Sequence, residues 1–312
     1  MEPIPACALG ERGRKFEIVV GALFHLETSF VFGPRFMASN SQPKSPESDG
    51  AFRARSDTPF ILGLCLLGGA YVLMIVLMVA ADLAFTDRES IMAALATPEI
   101  QYSIKLSLIS CTISTLLSVW VAVPIGYLMS RFEFRGKSVI DAILDIPIVL
   151  PPLVIGISLL ILFNYPPFRW VSDQVVFEIP AVILAQFMVA CAFAVRTMRV
   201  TFDQIPQRYE DVAMTLGCSR SQAFWKVIIP QAKHGVLAAA TLAWARSLGE
   251  FGPILVFAGS TRFRTEVLPT SVYLEMQAGN TRGMLAVALI MIVAAALVLI
   301  AARLFGMKRL NA

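Results

Sequence analysis

The stretch Leu106–Ser130, LSLISCTISTLLSVWVAVPIGYLMS, contains no charged residue. A helix rises 1.5 Å per residue, so about 20 apolar residues cross a hydrocarbon core of roughly 30 Å, and a charge-free run of this length reads as a membrane span. Four more stretches repeat the pattern: Phe60–Ala81, Ile146–Phe163, Ile179–Val195 and Met284–Ala302 are all uncharged. Gly235–Thr261 is apolar apart from Arg246 and Glu250, and its length suits a further span whose two charges face protein or water. The expected fold is therefore all-α: a polytopic membrane protein with six transmembrane helices.

Composition points the same way. Of 312 residues, 57% are hydrophobic and 15% charged, against about 45 to 50% and about 25% in soluble domains. With a mean hydropathy of +0.70, the chain lacks the polar surface to cover one globule, which excludes an ordinary soluble enzyme. A formal charge of +4, with scattered Lys and Arg, excludes a nucleic-acid footprint. The cysteines Cys7, Cys65, Cys111, Cys191 and Cys218 form no CxxC pair, and His25 and His234 are the only histidines, so neither a disulfide framework nor a metal site is expected.

Lys and Arg accumulate on the cytoplasmic side of membrane proteins. One set of loops holds Arg131, Arg135 and Lys137, then Arg196, Arg199, Arg208, Arg220, Lys226 and Lys233, with Arg53, Arg55, Arg303, Lys308 and Arg309 at the ends. The alternate loops are poorer in cations: Asp82, Asp87, Glu89 and Glu99 against Arg88, then Arg169, then Arg262, Arg264 and Arg282. Both termini are expected in the cytoplasm. Residues 1–58 read as a cytoplasmic extension, disordered where Ala38–Gly50 lacks apolar side chains. Ile18–Phe32 is interrupted by His25 and Glu27, so no cleaved signal is expected, and a translation start at Met37 is one reading of this end. The transmembrane domain is expected over 59–308, with 309–312 as a tail.

The loop from Arg196 to His234, and within it about 203–233, reads as two short helices. Asp203 is placed to cap and Pro206 to begin the first, whose Tyr209, Val212, Ala213 and Leu216 recur at helical spacing before Gly217 ends it. Ser219 or Ser221 starts the second, with Phe224, Val227 and Ile228 on one stripe and Pro230 closing it. On periodicity alone, such helices also fit a position on lipid headgroups.

Glu210-Asp211-Val212, then Gly217, then Val227-Ile228-Ile229-Pro230, resembles the EAA loop of ATP-binding-cassette importer permeases, whose pattern is Glu-Ala-Ala, three residues, Gly, nine residues, Ile, any residue, Leu-Pro. The resemblance implies a type I importer permease in a prokaryotic inner membrane, a transporter subunit and not an enzyme. In that family the loop is a coupling helix seated in a groove of a cytoplasmic ATPase. Glu210, Asp211, Ala213, Gly217 and Pro230 are its counterparts here, with Glu210 and Ala213 as contacts and Gly217 as the turn.

Arg246-Ser247-Leu248-Gly249-Glu250-Phe251-Gly252-Pro253 interrupts the fifth of the expected spans. An unpaired mid-membrane Arg costs about 2.5 to 3.5 kcal/mol on insertion scales. Arg246 and Glu250 stand one helical turn apart, so they read either as a structural ion pair or as part of the wall of a water-filled path. Gly249 and Gly252 favour close approach or a bend. Pro151 and Pro152 remove backbone donors and must kink or delay a helix, as membrane-helix prolines ordinarily do beside a cavity or neighbouring helix. Ala245–Gly252 and Asp145–Pro152 with Gly156 resemble the corresponding segments of molybdate permeases, with sulfate permeases close behind. The resemblance implies a translocation path or gate at Pro151, Pro152, Arg246, Ser247, Gly249, Glu250 and Gly252, and an oxyanion cargo: molybdate or tungstate, alternatively sulfate or thiosulfate.

Gly136-Lys137-Ser138 imitates the end of a phosphate-binding loop, but Arg131 stands where its first glycine belongs and no strand precedes it. The energy must then come from a separate ATPase subunit. The expected partners are that ATPase, an extracytoplasmic substrate-binding protein, a second copy of this chain and lipid, with no cofactor and no metal. A membrane-embedded enzyme would need catalytic groups clustered at one depth, and the spans offer little beyond Arg246, Glu250, Asn164 and Gln186. A secondary transporter would show inverted repeats or several intramembrane carboxylates, and neither is evident.

Overall fold

A computed structural model describes residues Thr58–Lys308. The extension over 1–57, with Met37, Arg53 and Arg55, and the tail 309–312 lie outside the described residues. All regular elements among the described residues are helical. They are α1 (Thr58–Phe85), α2 (Arg88–Ala96), α3 (Pro98–Arg131), α4 (Lys137–Val149), α5 (Pro152–Leu162), α6 (Ile179–Gln204), α7 (Arg208–Thr215), α8 (Ile229–Leu248), α9 (Gly252–Phe257), α10 (Leu268–Gln277) and α11 (Thr281–Lys308), with short helical turns between α5 and α6 and ahead of α8.

Among the described residues, four helices are long and apolar enough to cross a membrane: α1, α3, α6 and α11. They contain four of the charge-free runs. The other two expected spans are broken. Ile146–Phe163 straddles α4 and α5, which are bent by 112° at Leu150 and Pro151. Pro151 and Pro152 supply no backbone N–H, and Leu150 and Pro151 both adopt extended ψ angles (139° and 133°), so the helix stops and restarts in a new direction. Gly235–Thr261 is helical only to Leu248 and resumes at Gly252, because the run Gly249-Glu250-Phe251-Gly252-Pro253 places two weak helix formers and a proline together.

Residues of α3, α6 and α8 form much of the packed interior. Their facing sides are built of small side chains, including Ser110, Ser114 and Ser118 on α3, Ala185, Ala190 and Ala194 on α6, and Ala232, Ala239 and Ala243 on α8, all buried. Lipid gives helices no hydrophobic reason to associate, so close backbone approach with dense van der Waals contact has to hold them. Two of the α3 hydroxyls find partners on other segments, Ser107 Oγ accepting from the Leu268 N–H (2.8 Å) and Ser114 Oγ lying 2.9 Å from the Ile183 carbonyl oxygen, while Ser118 Oγ is buried without one. α1 presents apolar side chains on all sides, with Leu66 and Leu67 among the most exposed, the pattern of a helix solvated by lipid.

α4 is amphipathic. Val139, Ile140, Ile143 and Ile146 are exposed, while Asp145 pairs with Arg196 (2.6 Å) and Asp141 with Arg199 of α6. A cavity of about 300 Å³ lies between the two helices, lined by both aspartates, both arginines and Asp203. The last two turns of α6 thus lie beyond Val195, and the loop toward α7 is shorter than expected.

Candidate functional site

α7 is a short helix held between the ends of longer ones. Asp203 does not cap it. That residue lies inside α6, within 2.5 Å of Ser130 Oγ, and Gln207 occupies the N-cap position. The helix ends at Gly217, whose φ of +88° is left-handed. The Cys218 N–H bonds to the Ala213 carbonyl (3.0 Å) and the Gly217 N–H to that of Met214 (3.0 Å), so the orphan carbonyls of the last turn are satisfied in a Schellman arrangement.

Burial divides the expected stripe. Ala213 faces inward, 7% exposed, while Tyr209, Val212 and Leu216 are 49, 57 and 80% exposed and line the outer face with Asp211. Glu210 faces inward at 5% exposure. It accepts hydrogen bonds from the Tyr127 hydroxyl (2.8 Å) and from Arg131 Nε (2.7 Å). Counted back from Gly217 through the three intervening residues, the Glu-Ala-Ala triplet falls on Asp211-Val212-Ala213. The outward acid is therefore Asp211, and Glu210, next to it, is bonded within the chain.

Ser219 caps the turn that follows, its hydroxyl accepting from the Gln222 N–H and its own N–H reaching Gln222 Oε1 (2.9 Å). Pro230 does not close this second helix. The chain widens into a π turn over Phe224–Ile228, where the Ile229 N–H reaches the Phe224 carbonyl, and continues as α8 with Pro230 exposed in its first turn. The wide turn absorbs the N–H that Pro230 lacks.

α8 runs from this turn to the second candidate region, a length of about 30 Å at 1.5 Å per residue. At its far end Arg246 Nη1 lies 2.7 Å from Glu250 Oε2. The carboxylate is sealed, with the side chain 1% exposed, whereas that of Arg246 is 30% exposed and its guanidinium sits 5.7 Å from the Phe193 ring centroid. Glu250 Oε1 and Ser247 Oγ are buried without a hydrogen-bond partner. Gly249 is exposed, its φ of −81° is ordinary, and a Cβ there would meet only local carbonyls at 3.9 Å.

The two helix breaks meet. A Cβ on Gly252 would stand 3.1 Å from the Leu153 nitrogen and from Pro152 Cβ, and one on Gly156 would stand 2.8 Å from Pro253 Cα. Pro152 and Gly252 are thus in contact, with Pro151 at the start of the same turn, and the ion pair sits on the α8 side of the junction. The EAA-like residues lie at the other end of α8, so the expected residues fall into two groups joined by one helix.

Some participants were not anticipated from sequence. Tyr127 and Arg131 lie at the end of α3 in a span and a basic loop that gave no hint of a partner. Ser107, Ser110, Ser114 and Ser118 of the charge-free run, with Ser103 one turn before it, are all buried on α3 and recur at helical spacing, a polar stripe legible in the sequence.

A family model described as the binding-protein-dependent transport system inner membrane component matches residues 122–310. The chain is 37% identical over 172 residues to the molybdate/tungstate transport system permease protein of Pyrococcus furiosus, an alignment spanning 55% of this chain and 66% of that one. It is 28% identical over 210 residues to the sulfate transport system permease protein of Escherichia coli, covering 66% and 76%. In three dimensions it is similar to a chain of a bacterial alginate ABC transporter crystallised with a periplasmic protein bound to an alginate pentasaccharide, with a TM-score of 0.62 at 15% identity over 80% of this chain and 93% of that one.

Proposed function

This chain belongs to the family of binding-protein-dependent transport system inner membrane components, and from that premise we propose that it forms the membrane path for molybdate or tungstate. It is a multi-pass permease subunit of an ABC importer and not an enzyme. The oxyanion reading is supported by 37% identity to a molybdate/tungstate permease against 28% to a sulfate permease. Sulfate is the second reading, favoured by the longer alignment to that relative.

The observation that carries the mechanism is the unbroken helical run from Arg220 through the π turn to Leu248, which joins the Gly217 turn at the end of α7 and its exposed apolar stripe to the paired helix breaks. Tyr209, Val212 and Leu216, with Asp211 beside them, form the face that enters a groove of a cytoplasmic ATPase. Gly217 sets the turn, and Pro230 starts the helix that carries the displacement onward. A rigid element with two discrete arrangements transmits such motion, whereas a flexible loop absorbs it. At the far end, Pro151, Pro152, Gly249 and Gly252 make the gate. Arg246, offset by Glu250 and followed by Ser247, lines the passage for an anion. The broken α4–α5 and α8–α9 pairs each count as one span, which gives six, with both termini in the cytoplasm. Two copies enclose one path, the ATPase docks from inside, and an extracytoplasmic binding protein delivers the cargo.

The test is reconstitution in proteoliposomes with the ATPase and the binding protein. ATP-dependent uptake of molybdate, with sulfate a poor competitor, is the expected result. Uptake driven by an ion gradient without ATP would sink it, and preference for sulfate would replace the cargo while leaving the mechanism.

A further inference from the structure

We propose that Tyr127 and Arg131 are positioning residues for energy coupling: they lock Glu210, and through it α7, to the cytoplasmic end of α3, so that displacement of α7 moves α3 as well as α8. The inference rests on reading α7 as the docking helix.

The geometry is a two-point hold. Tyr127 and Arg131 are one helical turn apart on α3 and take different oxygens of the same carboxylate, at 2.8 and 2.7 Å. One bond would leave α7 free to pivot about it. Two bonds from successive turns fix both its position and its angle. Arg131 Nη2 also donates to the Ile205 carbonyl (2.7 Å), which ties the end of α6 into the same joint. The Tyr127 ring stands 5.7 Å from that of Phe202 on α6 and 4.6 Å from that of Phe224 in the π turn. Four segments of the chain thus converge on one residue pair.

Burial makes the joint stiff. The Arg131 and Glu210 side chains are 8 and 6% exposed, so water screens the charges little. Such a pair is a weak source of net stability, because a well-packed apolar substitute is often as stable, yet removing one partner is costly. What an ion pair with two directional bonds supplies, and an apolar contact does not, is a fixed orientation. The same burial leaves the Glu210 oxygens no face for an ATPase, so its contribution to coupling runs through α3.

The experiment uses the complete transporter in proteoliposomes, with ATP hydrolysis and substrate uptake measured on the same vesicles and Leu216 replaced by a photo-crosslinking amino acid to report docking. Glu210→Gln and Arg131→Gln are each expected to lower substrate imported per ATP about tenfold, the scale of one charge-assisted hydrogen bond, while the cross-link to the ATPase persists. The double variant should be no worse than either single one, because both remove the same joint. Tyr127→Phe, which deletes only the hydroxyl, should lower the ratio less and serves if the charge variants fail to assemble. An unchanged ratio in Tyr127→Phe together with either charge variant overturns the proposal. So does loss of the cross-link in Glu210→Gln, which would make Glu210 a docking residue. A missing cross-link in the otherwise unaltered transporter sinks the docking reading itself, and this inference with it.

Discussion

Gly156 of α5 and Pro253 of α9 approach so closely that a Cβ on the glycine would lie 2.8 Å from the proline Cα and 3.0 Å from its carbonyl oxygen. Both neighbours are backbone atoms and cannot swing aside. Gly156→Ala is therefore expected to push the two short helices apart and to cost about 1 to 3 kcal/mol, the range for overpacking a tight interface. Gly63→Ala on α1, where nothing lies within 4 Å, is the matched control and should be neutral or stabilising by up to about 1 kcal/mol, since alanine favours a helix over glycine. Thermal denaturation of the purified protein checks the pair, and transport should fall only in the first.

At Gly217 the constraint is conformational instead of steric. Nothing lies within 4 Å of a Cβ there, but φ is +88°. A β-branched side chain in that region costs more than the roughly 1 to 2 kcal/mol of an ordinary L-residue, whereas Asn visits it with little strain. Gly217→Val should abolish transport and uncouple ATP hydrolysis while expression persists, and Gly217→Asn should retain most activity. Equal activity of the two variants would remove the turn from the coupling mechanism.

The four continuous spans were legible because the membrane demands long charge-free helices and little else. The broken pair at Pro151 and Pro152 was legible as a kink, yet its 112° angle was not. In the folded chain the α4 arm of that bend is paired with α6 through Asp141 with Arg199 and Asp145 with Arg196, partners far away in sequence. Arg246 and Glu250 were legible as a pair because helical spacing alone brings them together. Glu210 was legible as part of a motif but not as an inward residue, since its direction is set by Tyr127 and Arg131 on another helix. Pro230 misled for the opposite reason: its local signal for a helix end is valid, and a π turn overrode it.

The Arg246–Glu250 pair is asymmetric, with the carboxylate sealed and the guanidinium partly open. Removing the cation strands a buried anion, for which losses of about 3 to 5 kcal/mol are typical. Removing the anion leaves a cation that still has the Phe193 ring and access to polar surroundings. Arg246→Met is thus expected to destabilise the protein more than Glu250→Gln, and adding Glu250→Gln to Arg246→Met should restore part of the loss. Midpoints of thermal unfolding for the three variants give the order directly. The reverse order would mean that Glu250 is not the group the pair exists to neutralise.

Glu266, in the segment between α9 and α10, provides a pH test outside the spans. Burial pushes its carboxyl above the ordinary glutamate value of 4.5, the Ser271 hydrogen bond and Arg262 oppose the shift, and Glu275 and Glu99 add to it. Ser271 donates to Oε1 at 2.7 Å, and Oε2 is buried with no partner. The folded state therefore holds a proton more tightly than the unfolded chain. Its advantage is complete below the unfolded value, and stability falls as pH rises from about there through the higher folded value. Glu266→Gln keeps a neutral side chain at every pH and should flatten this part of the curve, with its gain over the unaltered protein largest at the neutral end. Thermal midpoints measured across the acid-to-neutral range decide it: parallel curves for the two proteins would mean that Glu266 is solvated or paired in the folded state and that its burial carries no electrostatic cost.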